Sequence, residues 1–158
     1  MIITIGIDPG VKSAVSAFLD NNFLTAKYII PEDFSLWIFY LMRENKLEKK
    51  YHLGILERQA IIERPYLNLN AQTLITQSII VGRWIGALEK EKFNVTQITP
   101  SKWYCAVCRG KARDSRKMRK RNSIYYANVI MGTLTTDQKI NDHNLADAIN
   151  IGAYKTRR

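Results

Sequence analysis

The sequence lacks the features that mark membrane-spanning and secreted proteins. No apolar run approaches the roughly 20 residues that cross a bilayer. The first residues, MIITIGIDPG, have neither the basic start nor the small-residue cleavage site of a secretory signal. We therefore expect a cytoplasmic protein with no membrane partner.

Cysteine and histidine are scarce, with two residues of each type. Cys105 and Cys108 form one C-x-x-C pair, which alone supplies half of a zinc site or a weak redox motif. No second pair is present, and only His52 and His143 could complete a mixed site. Because WYCAVCRG is an apolar, helical context, we interpret the thiols as buried or half-buried. A metal knuckle is the alternative, so their role stays open.

Acidic residues are few beside the basic ones. The 158 residues contain 14 Asp and Glu against 24 Lys and Arg, a net charge of +10. This excess indicates a polyanionic partner, with nucleic acid as the leading candidate, although a basic protein without such a partner is the alternative. The length suits a single domain over residues 1–158 with a sizeable core.

The order of apolar patterns predicts an α/β protein with a mixed sheet flanked by helices. Three strands come first as an antiparallel meander, and strands then alternate with helices. A connector is predicted over 58–69. The predicted strands are 3–8, 13–19, 23–30, 51–57 and 93–99, and the predicted helices cover 34–50, 70–92, 101–108, 122–130 and a last segment from 141.

Three acids occupy positions where a site could form. Asp8 ends the first predicted strand, Glu57 ends the fourth, and Asp147 lies one turn into the last helix. If those strands are parallel neighbours, their carboxyl ends meet, where open sheets bind ligands. Converging carboxylates repel one another unless a divalent cation lies between them, and an all-oxygen site favours Mg²⁺ or Mn²⁺. Two such ions about 4 Å apart promote phosphodiester displacement.

Each acid also has a plainer explanation. Asp8 precedes Pro9-Gly10 and suits a turn, Glu57 could pair with a neighbouring arginine, and Asp142 suits the N-cap of the last helix. Asp147 is harder to explain in this way, because it lies among apolar residues on a helix that should pack. A metal-dependent nuclease is therefore a hypothesis that depends on the acids taken together.

Five segments occur in an order that resembles a known family. They are IGIDPG (5–10), GILE (54–57), NAQTLITQSIIVGRWIGAL (70–88), ITPSKWYCAV (98–107) and HNLADAINIG (143–152). The chain resembles the RuvC family of Holliday-junction resolvases, which have an RNase H-like fold, over nearly its whole length. Its short length and irregular middle suggest a bacteriophage-encoded member.

The resemblance implies that Asp8, Glu57 and Asp147 are three of four catalytic positions and hold about two Mg²⁺ or Mn²⁺ ions. The fourth position, three residues before the last aspartate, is Asp or His in the family and Asn144 here. Three interpretations are open, and the first of them is favoured. Asn144 replaces an aspartate and impairs cleavage, His143 or its neighbour Asp142 takes over the role, or the protein binds junctions and cuts poorly.

The implied activity is a metal-dependent endonuclease that resolves four-way junctions and other branched DNA by paired nicks. A non-catalytic junction-binding protein is the alternative, and a nucleotide-binding kinase fragment would need more chain than is present. The resemblance also implies a homodimer. Helix 70–92 is the predicted dimer element, with Gly82 and Gly86 on one face and help from Ile75, Ile79 and Trp84. Packing of these glycines on their own sheet is the alternative.

The basic run over 109–121 is the predicted DNA contact, with eight basic residues and one acid. On a helix, some of these side chains would form a phosphate track, whereas the plainer explanation is a solvated face. Lys102 would add a contact near the metals, and Tyr66 could stack on an unpaired base. The basic residues of the run are Arg109, Lys111, Arg113, Arg116, Lys117, Arg119, Lys120 and Arg121.

Overall fold

Within the described residues, a five-stranded mixed sheet carries helices on both faces. The computed structural model describes residues 1–54, 56–65, 70–111, 113–132 and 139–154. None of the helices in these ranges is both long enough and apolar enough to cross a membrane. The strands are β1 (Ile2–Asp8), β2 (Ser13–Leu19), β3 (Asn22–Ile29), β4 (Glu57–Glu63) and β5 (Asn94–Ile98). The helices are α1 (Phe34–Glu44), α2 (Glu48–His52), α3 (Ala71–Lys90), α4 (Pro100–Val107), α5 (Arg116–Met131) and α6 (His143–Ala153).

The strand order is β3-β2-β1-β4-β5. The first three strands form the predicted antiparallel meander, and Asp20 and Asn21 make its second turn at φ values of 46° and 72°. Asp and Asn tolerate this left-handed region better than most residues. Strand β4 pairs parallel with β1 and β5 pairs parallel with β4, so the predicted α/β fold with β1 and β4 as neighbours is confirmed.

The strand predicted over 51–57 is wrong. Residues 48–52 form the short helix α2, and Gly54 follows at a φ of 69°, a value that favours glycine. Strand β4 then begins at Glu57, inside what was predicted as its end, and continues through the predicted connector to Glu63. Its buried core is Ala60-Ile61-Ile62, a continuous apolar run as expected for a central parallel strand.

The helix predicted over 34–50 is interrupted. Helix α1 ends at Glu44, and Lys46 takes a φ of 56°. The backbone N–H of Leu47 donates to the Met42 carbonyl at 2.7 Å, and the Leu47 side chain is buried. The buried Leu47 therefore fixes the change of chain direction between α1 and α2. Tyr51 on α2 is buried in the same core.

The sheet separates two cores, because alternate side chains of a strand point to opposite faces. One core lies under α1 and α3, where Phe34 and Trp84 contact each other with ring centroids 5.7 Å apart. The other lies under α4, α5 and α6 and contains Ile61, Trp103 and Ile149. The two faces thus carry different helices, and only the second face carries the helix with Asp147.

Helix α6 lies against β1 and β2 at unusually close range. A Cβ atom on Gly6 would lie 2.3 Å from the Gly152 nitrogen and 2.4 Å from the Ala148 carbonyl oxygen. The Ser16 hydroxyl donates to that same carbonyl at 2.7 Å. Two glycines facing each other thus allow the last helix to contact the strand that ends in Asp8.

Candidate active site

Two parallel strands and one helix bring three carboxylates to one end of the sheet. Ile7 pairs with Ile62, so Asp8 and Glu63, the next residues, end their strands side by side. Asp8 points to the α6 side, because it lies two residues beyond Gly6, which contacts α6. Asp8, Glu63 and Asp147 are half-buried and line one cavity of about 270 Å³.

Glu57 does not belong to this group, so the predicted meeting of Glu57 with Asp8 and Asp147 is wrong. It pairs with Ile2, at the start of β1, six residues before Asp8. At about 3.3 Å per residue the two positions lie roughly 20 Å apart. Glu57 is exposed and accepts a hydrogen bond from the Gln59 amide.

The sequence did not lead to Glu63 because the fourth strand was predicted over 51–57, six residues before its observed position. The signal was present in AIIERP, where a buried apolar run ends in an acid just before Arg64-Pro65. Proline cannot donate to a strand ladder, so a central strand is expected to end before it. Glu63 therefore occupies the place that the sequence argument gave to Glu57.

Burial and neighbouring carboxylates raise the pKa values of Asp8 and Glu63. Burial raises the pKa of Asp8 well above its ordinary value, and the nearby charges of Glu63, Asp147 and Asp142 raise it further. Burial and the charge of Asp147 raise the pKa of Glu63 to about 7, although the Trp103 indole N–H donates to its carboxylate and partly opposes the shift. Negative charge is therefore unfavourable here without a cation.

Asp147 has a different set of neighbours. Burial raises its pKa to about 6, while a hydrogen bond from the Ser123 hydroxyl and the charge of Lys120 act in the opposite direction. The Asp147 carboxylate thus has one defined hydrogen-bond donor behind it and one ammonium group nearby.

The carboxylate oxygens of Asp8, Glu63 and Asp147 are chemically suited to bind a hard divalent cation. Within the ranges that the structure describes, no three His, Cys, Asp or Glu side chains are arranged closely enough to hold one ion. The Glu63 carboxylate is engaged with Trp103 and that of Asp147 with Ser123. The cluster nevertheless offers only carboxylate oxygens in a half-buried cavity, which is the ligand type that Mg²⁺ and Mn²⁺ prefer.

Asn144 lines the same cavity, and its side chain is hydrogen-bonded to Tyr28. Its amide nitrogen donates to the Tyr28 hydroxyl oxygen at 3.4 Å, and Tyr28 donates its single proton to Asp142 at 2.8 Å. The Tyr28 oxygen can therefore only accept from position 144. An amide meets this requirement and a carboxylate does not.

Asp142 is the N-cap of α6, which confirms its plainer explanation. Its carboxylate accepts the backbone N–H groups of Asn144 at 2.9 Å and Leu145 at 3.2 Å. Burial alone would raise its pKa, but the hydrogen bonds from Tyr28 and these two N–H groups lower it overall. Asp142 thus stays charged and is already engaged in capping.

His143 is half-buried and also lines the cavity. Burial lowers the pKa of its imidazole, the charges of Lys120 and Arg116 lower it further, and Asp142 partly opposes them. The neutral ring is therefore favoured, and it can accept a proton or a metal ion.

Part of the basic run reaches the cavity. Arg116, Arg119 and Lys120 share one face of α5 and line the cavity with the three acids. Arg119 also donates to the Asp114 carbonyl at 3.1 Å. The other predicted contacts are exposed outside the cavity lining, and Tyr66 lies outside the described residues. These exposed residues are Lys102, Arg109, Lys111, Arg113, Lys117 and Arg121.

The two cysteines differ in exposure. Cys108 is buried, as predicted, whereas Cys105 is exposed, so the prediction is wrong for Cys105. They lie on or next to α4, and in the described ranges neither thiol belongs to a group of three side chains that could hold a metal ion.

The exposed face of α3 carries a stripe of small and apolar residues. Nothing lies within 4 Å of a Cβ placed on Gly82 or Gly86, so these glycines do not pack on their own sheet. Ile75 and Ile79 are 53% and 58% exposed on the same face. Trp84 is fully buried in the core, so its predicted part in a helix pair is wrong.

The mixed five-stranded sheet with helices on both faces is the RNase H-like fold found in RuvC. A structure of Thermus thermophilus RuvC superposes with a TM-score of 0.63, 14% identity, and coverage of 96% of this chain and 92% of that chain. T. thermophilus RuvC in complex with Holliday junction substrate gives 0.64, 15%, 98% and 92%. This likeness confirms the RuvC resemblance at the level of the fold.

The chain belongs to the family described as DUF3882: Lactococcus phage M3 protein, whose model matches residues 37–157. A phage protein family agrees with the expectation of a bacteriophage-encoded member. No curated protein matches the chain.

Proposed function

We propose that this protein is a metal-dependent endonuclease that cuts four-way junctions and other branched DNA by paired nicks. The observation that carries this proposal is the shared cavity of Asp8, Glu63 and Asp147 with Arg116 and Lys120. Carboxylates suit a hard cation, and the basic side chains beside them suit a DNA phosphate. Residues 1–158 act as one nuclease domain in the host cytoplasm.

In this proposal Asp8, Glu63 and Asp147 would together hold Mg²⁺ or Mn²⁺, two ions per site as the resemblance implies, so each ion needs only one or two of these carboxylates. When bound, these ions would supply Lewis acidity toward the phosphate and a water of lowered pKa. Arg116 and Lys120 orient the phosphate over the carboxylates. The Trp103 indole limits the rotation of Glu63 by donating to its carboxylate.

Substitution of Asn144 is the most direct test of the proposed activity. Because the Tyr28 oxygen accepts from position 144, the site favours an amide there, and we propose that Asn144 is an integral part of it. On a synthetic four-way junction with Mg²⁺ or Mn²⁺, we expect paired symmetric nicks from the protein as it is. Asn144→Asp should cut about tenfold more slowly, as expected when an outer hydrogen bond of a metal site is lost.

Other outcomes of this cleavage experiment would favour the alternative interpretations. Nicks from the aspartate form alone would support the impaired-aspartate interpretation of Asn144. Binding of the junction without nicks from either form would favour the non-catalytic junction-binding alternative. Loss of nicks on His143→Ala with retained Mn²⁺ binding would assign His143 a part in proton transfer.

The basic face of α5 should account for part of the salt dependence of DNA binding. We expect the Arg116→Gln, Lys120→Gln double variant to lower the slope of log K against log salt by nearly two, since each phosphate contact contributes about 0.9. The measurement is a fluorescence-anisotropy titration of a four-way junction without divalent metal. A matched control is Lys49→Gln, Lys50→Gln on α2, which removes the same charge from two exposed residues outside the cavity lining. Equal slopes for both double variants would contradict this role.

We further propose that the protein forms a homodimer through the exposed α3 stripe of Ile75, Ile79, Gly82 and Gly86. Ile79→Asp is expected to weaken the dimer by at least about 30-fold, because a central apolar contact is worth about 2 kcal/mol. Sedimentation equilibrium measures the dissociation constant of the dimer. Leu36→Asp is the control, because Leu36 on α1 is 58% exposed, like Ile79. Dissociation by the Leu36 variant alone would place the interface on α1.

A further inference from the structure

Two buried polar side chains lie behind Asp147. Ser123 on α5 is 1% exposed, and Asn150 on α6 is fully buried. The Asn150 amide nitrogen donates to the Ser123 carbonyl oxygen and to the Ser123 hydroxyl oxygen, each at 2.9 Å. The Ser123 hydroxyl in turn donates to Asp147 Oδ1. The three residues form a chain of hydrogen bonds from the interior to the edge of the cavity.

The direction of this chain is fixed by the backbone. A carbonyl oxygen can only accept, so the group of Asn150 that faces Ser123 must be the NH₂ end of its amide. Its second N–H then occupies a lone pair of the Ser123 hydroxyl. The single hydroxyl proton is therefore directed to Asp147, whose carboxylate accepts it.

Packing alone does not explain a polar residue at position 150. Its neighbours Ile149 and Ile151 are fully buried, and Asn150 Oδ1 is buried with no hydrogen-bond partner. Leaving a buried acceptor unpaired is unfavourable, whereas an apolar side chain of similar shape avoids this cost. The amide nitrogen is the part of the side chain that makes hydrogen bonds, and both go to Ser123.

We propose that Ser123 and Asn150 are positioning residues, which hold the Asp147 carboxylate in the orientation that the metal site requires. The proposal rests on the proposed function, since that function makes Asp147 a metal ligand. Ser123 lies on the same helix face as Arg116 and Lys120, seven and three residues earlier. Helix α5 thus fixes the phosphate-facing cations and the Asp147 carboxylate relative to each other.

The first test measures Mn²⁺ affinity of the full chain by isothermal titration calorimetry. Ser123→Ala should weaken Mn²⁺ binding by about 10- to 100-fold, the range for loss of a group that orients a ligand. Ser123→Thr keeps the hydroxyl and should restore most of the affinity. Ser16→Ala is the control, because Ser16 is also buried and also bonds α6, but through the Ala148 carbonyl. Unchanged affinity in Ser123→Ala, or an equal loss in Ser16→Ala, overturns the proposal.

A second variant tests the first step of the Asn150–Ser123–Asp147 relay, which is the pair of hydrogen bonds from Asn150 to Ser123. Asn150→Leu keeps a similar shape and removes the donor, so it should weaken Mn²⁺ binding when Ser123 is present. In the Ser123→Ala background it should have no further effect, because the two residues act in series. Losses that simply multiply in the double variant would contradict the relay.

A metal-free measurement distinguishes this proposal from the nuclease proposal. In EDTA, the shifts of the thermal unfolding midpoint in Ser123→Ala and Asp147→Ala should not add in the double variant, since either substitution alone removes the hydrogen bond between Ser123 and Asp147. Additive shifts overturn the relay whatever the metal result. If the shifts are non-additive and the unaltered protein binds no Mn²⁺, the relay stands and the metal-dependent nuclease assignment fails.

Discussion

Glu63→Gln is expected to slow cleavage of a four-way junction by at least about 100-fold, and Glu57→Gln is expected to leave it unchanged. The magnitude is that of removing one group that stabilises charge at the reacting centre. Glu63 ends β4 beside Asp8 in the cavity, whereas Glu57 begins β4 and is exposed at the far end of the sheet. Single-turnover cleavage at saturating Mg²⁺ measures both rates.

The same pair of variants separates catalysis from folding. The pKa of Glu63 is raised to about 7, so the folded protein binds its proton more tightly than the unfolded chain does. Without metal, stability is therefore lost as the pH rises from about 4.5 to 7. Glu63→Gln removes this cost, and a net relief of about 1 kcal/mol at pH 8 would raise the Tm by about 3 °C.

A slower Glu63→Gln enzyme with an unchanged or higher metal-free Tm would therefore point to the site and not to unfolding. An equal loss of cleavage in Glu57→Gln would contradict the assignment, because the two carboxylates lie at opposite ends of β4. Cleavage at the normal rate in Glu63→Gln would show that the reaction needs only the other acids.

Gly6→Ala is expected to destabilise the protein by about 3 kcal/mol or more and to abolish cleavage. The added methyl would meet backbone atoms of α6 at 2.3 and 2.4 Å, and backbone cannot give way by changing a rotamer as a side chain can. Helix α6 must therefore move away from β1, which separates Asp147 from Asp8. A thermal melt should show a Tm lower by about 10 °C.

Gly10→Ala is the matched control for this effect. It adds the same methyl just beyond β1, where the nearest atom is the Lys12 carbonyl oxygen at 3.4 Å, and its φ lies outside the left-handed region. We expect a change in stability within about 1 kcal/mol. A Gly6→Ala protein as stable as Gly10→Ala would mean that α6 does not lie within van der Waals distance of Gly6.

Much of the fold could be predicted from residue patterns. Alternating apolar residues with Asp20 and Asn21 at the turn predicted the meander, and the order of later elements predicted a mixed sheet with β1 and β4 as neighbours. The acid at the end of β1 and the one inside α6 stood out for the same reason. Asp147 had to lie beside packed apolar residues, and Asp8 had to lie where a strand stops.

The fourth strand could not be placed in the same way. Short apolar runs suit a strand or a helix equally well, and both YHLGILE and AIIE are such runs. Packing decides between them, because Ala60, Ile61 and Ile62 are fully buried between β1 and β5, while residues 48–52 close a helical turn around Tyr51. A shift of six residues moved the acid from one end of the sheet to the other.

The sequence by itself determined the kind of protein, because local patterns of hydrophobicity, turn residues and charge are enough to specify an α/β fold, a basic surface and a group of acids. Only the tertiary structure decided which acids meet. Pairing of Ile7 with Ile62 selects Glu63 over Glu57, and contact between Gly6 and α6 brings Asp147 to them. Strand register and helix docking depend on contacts between residues far apart in the chain, which no local pattern records.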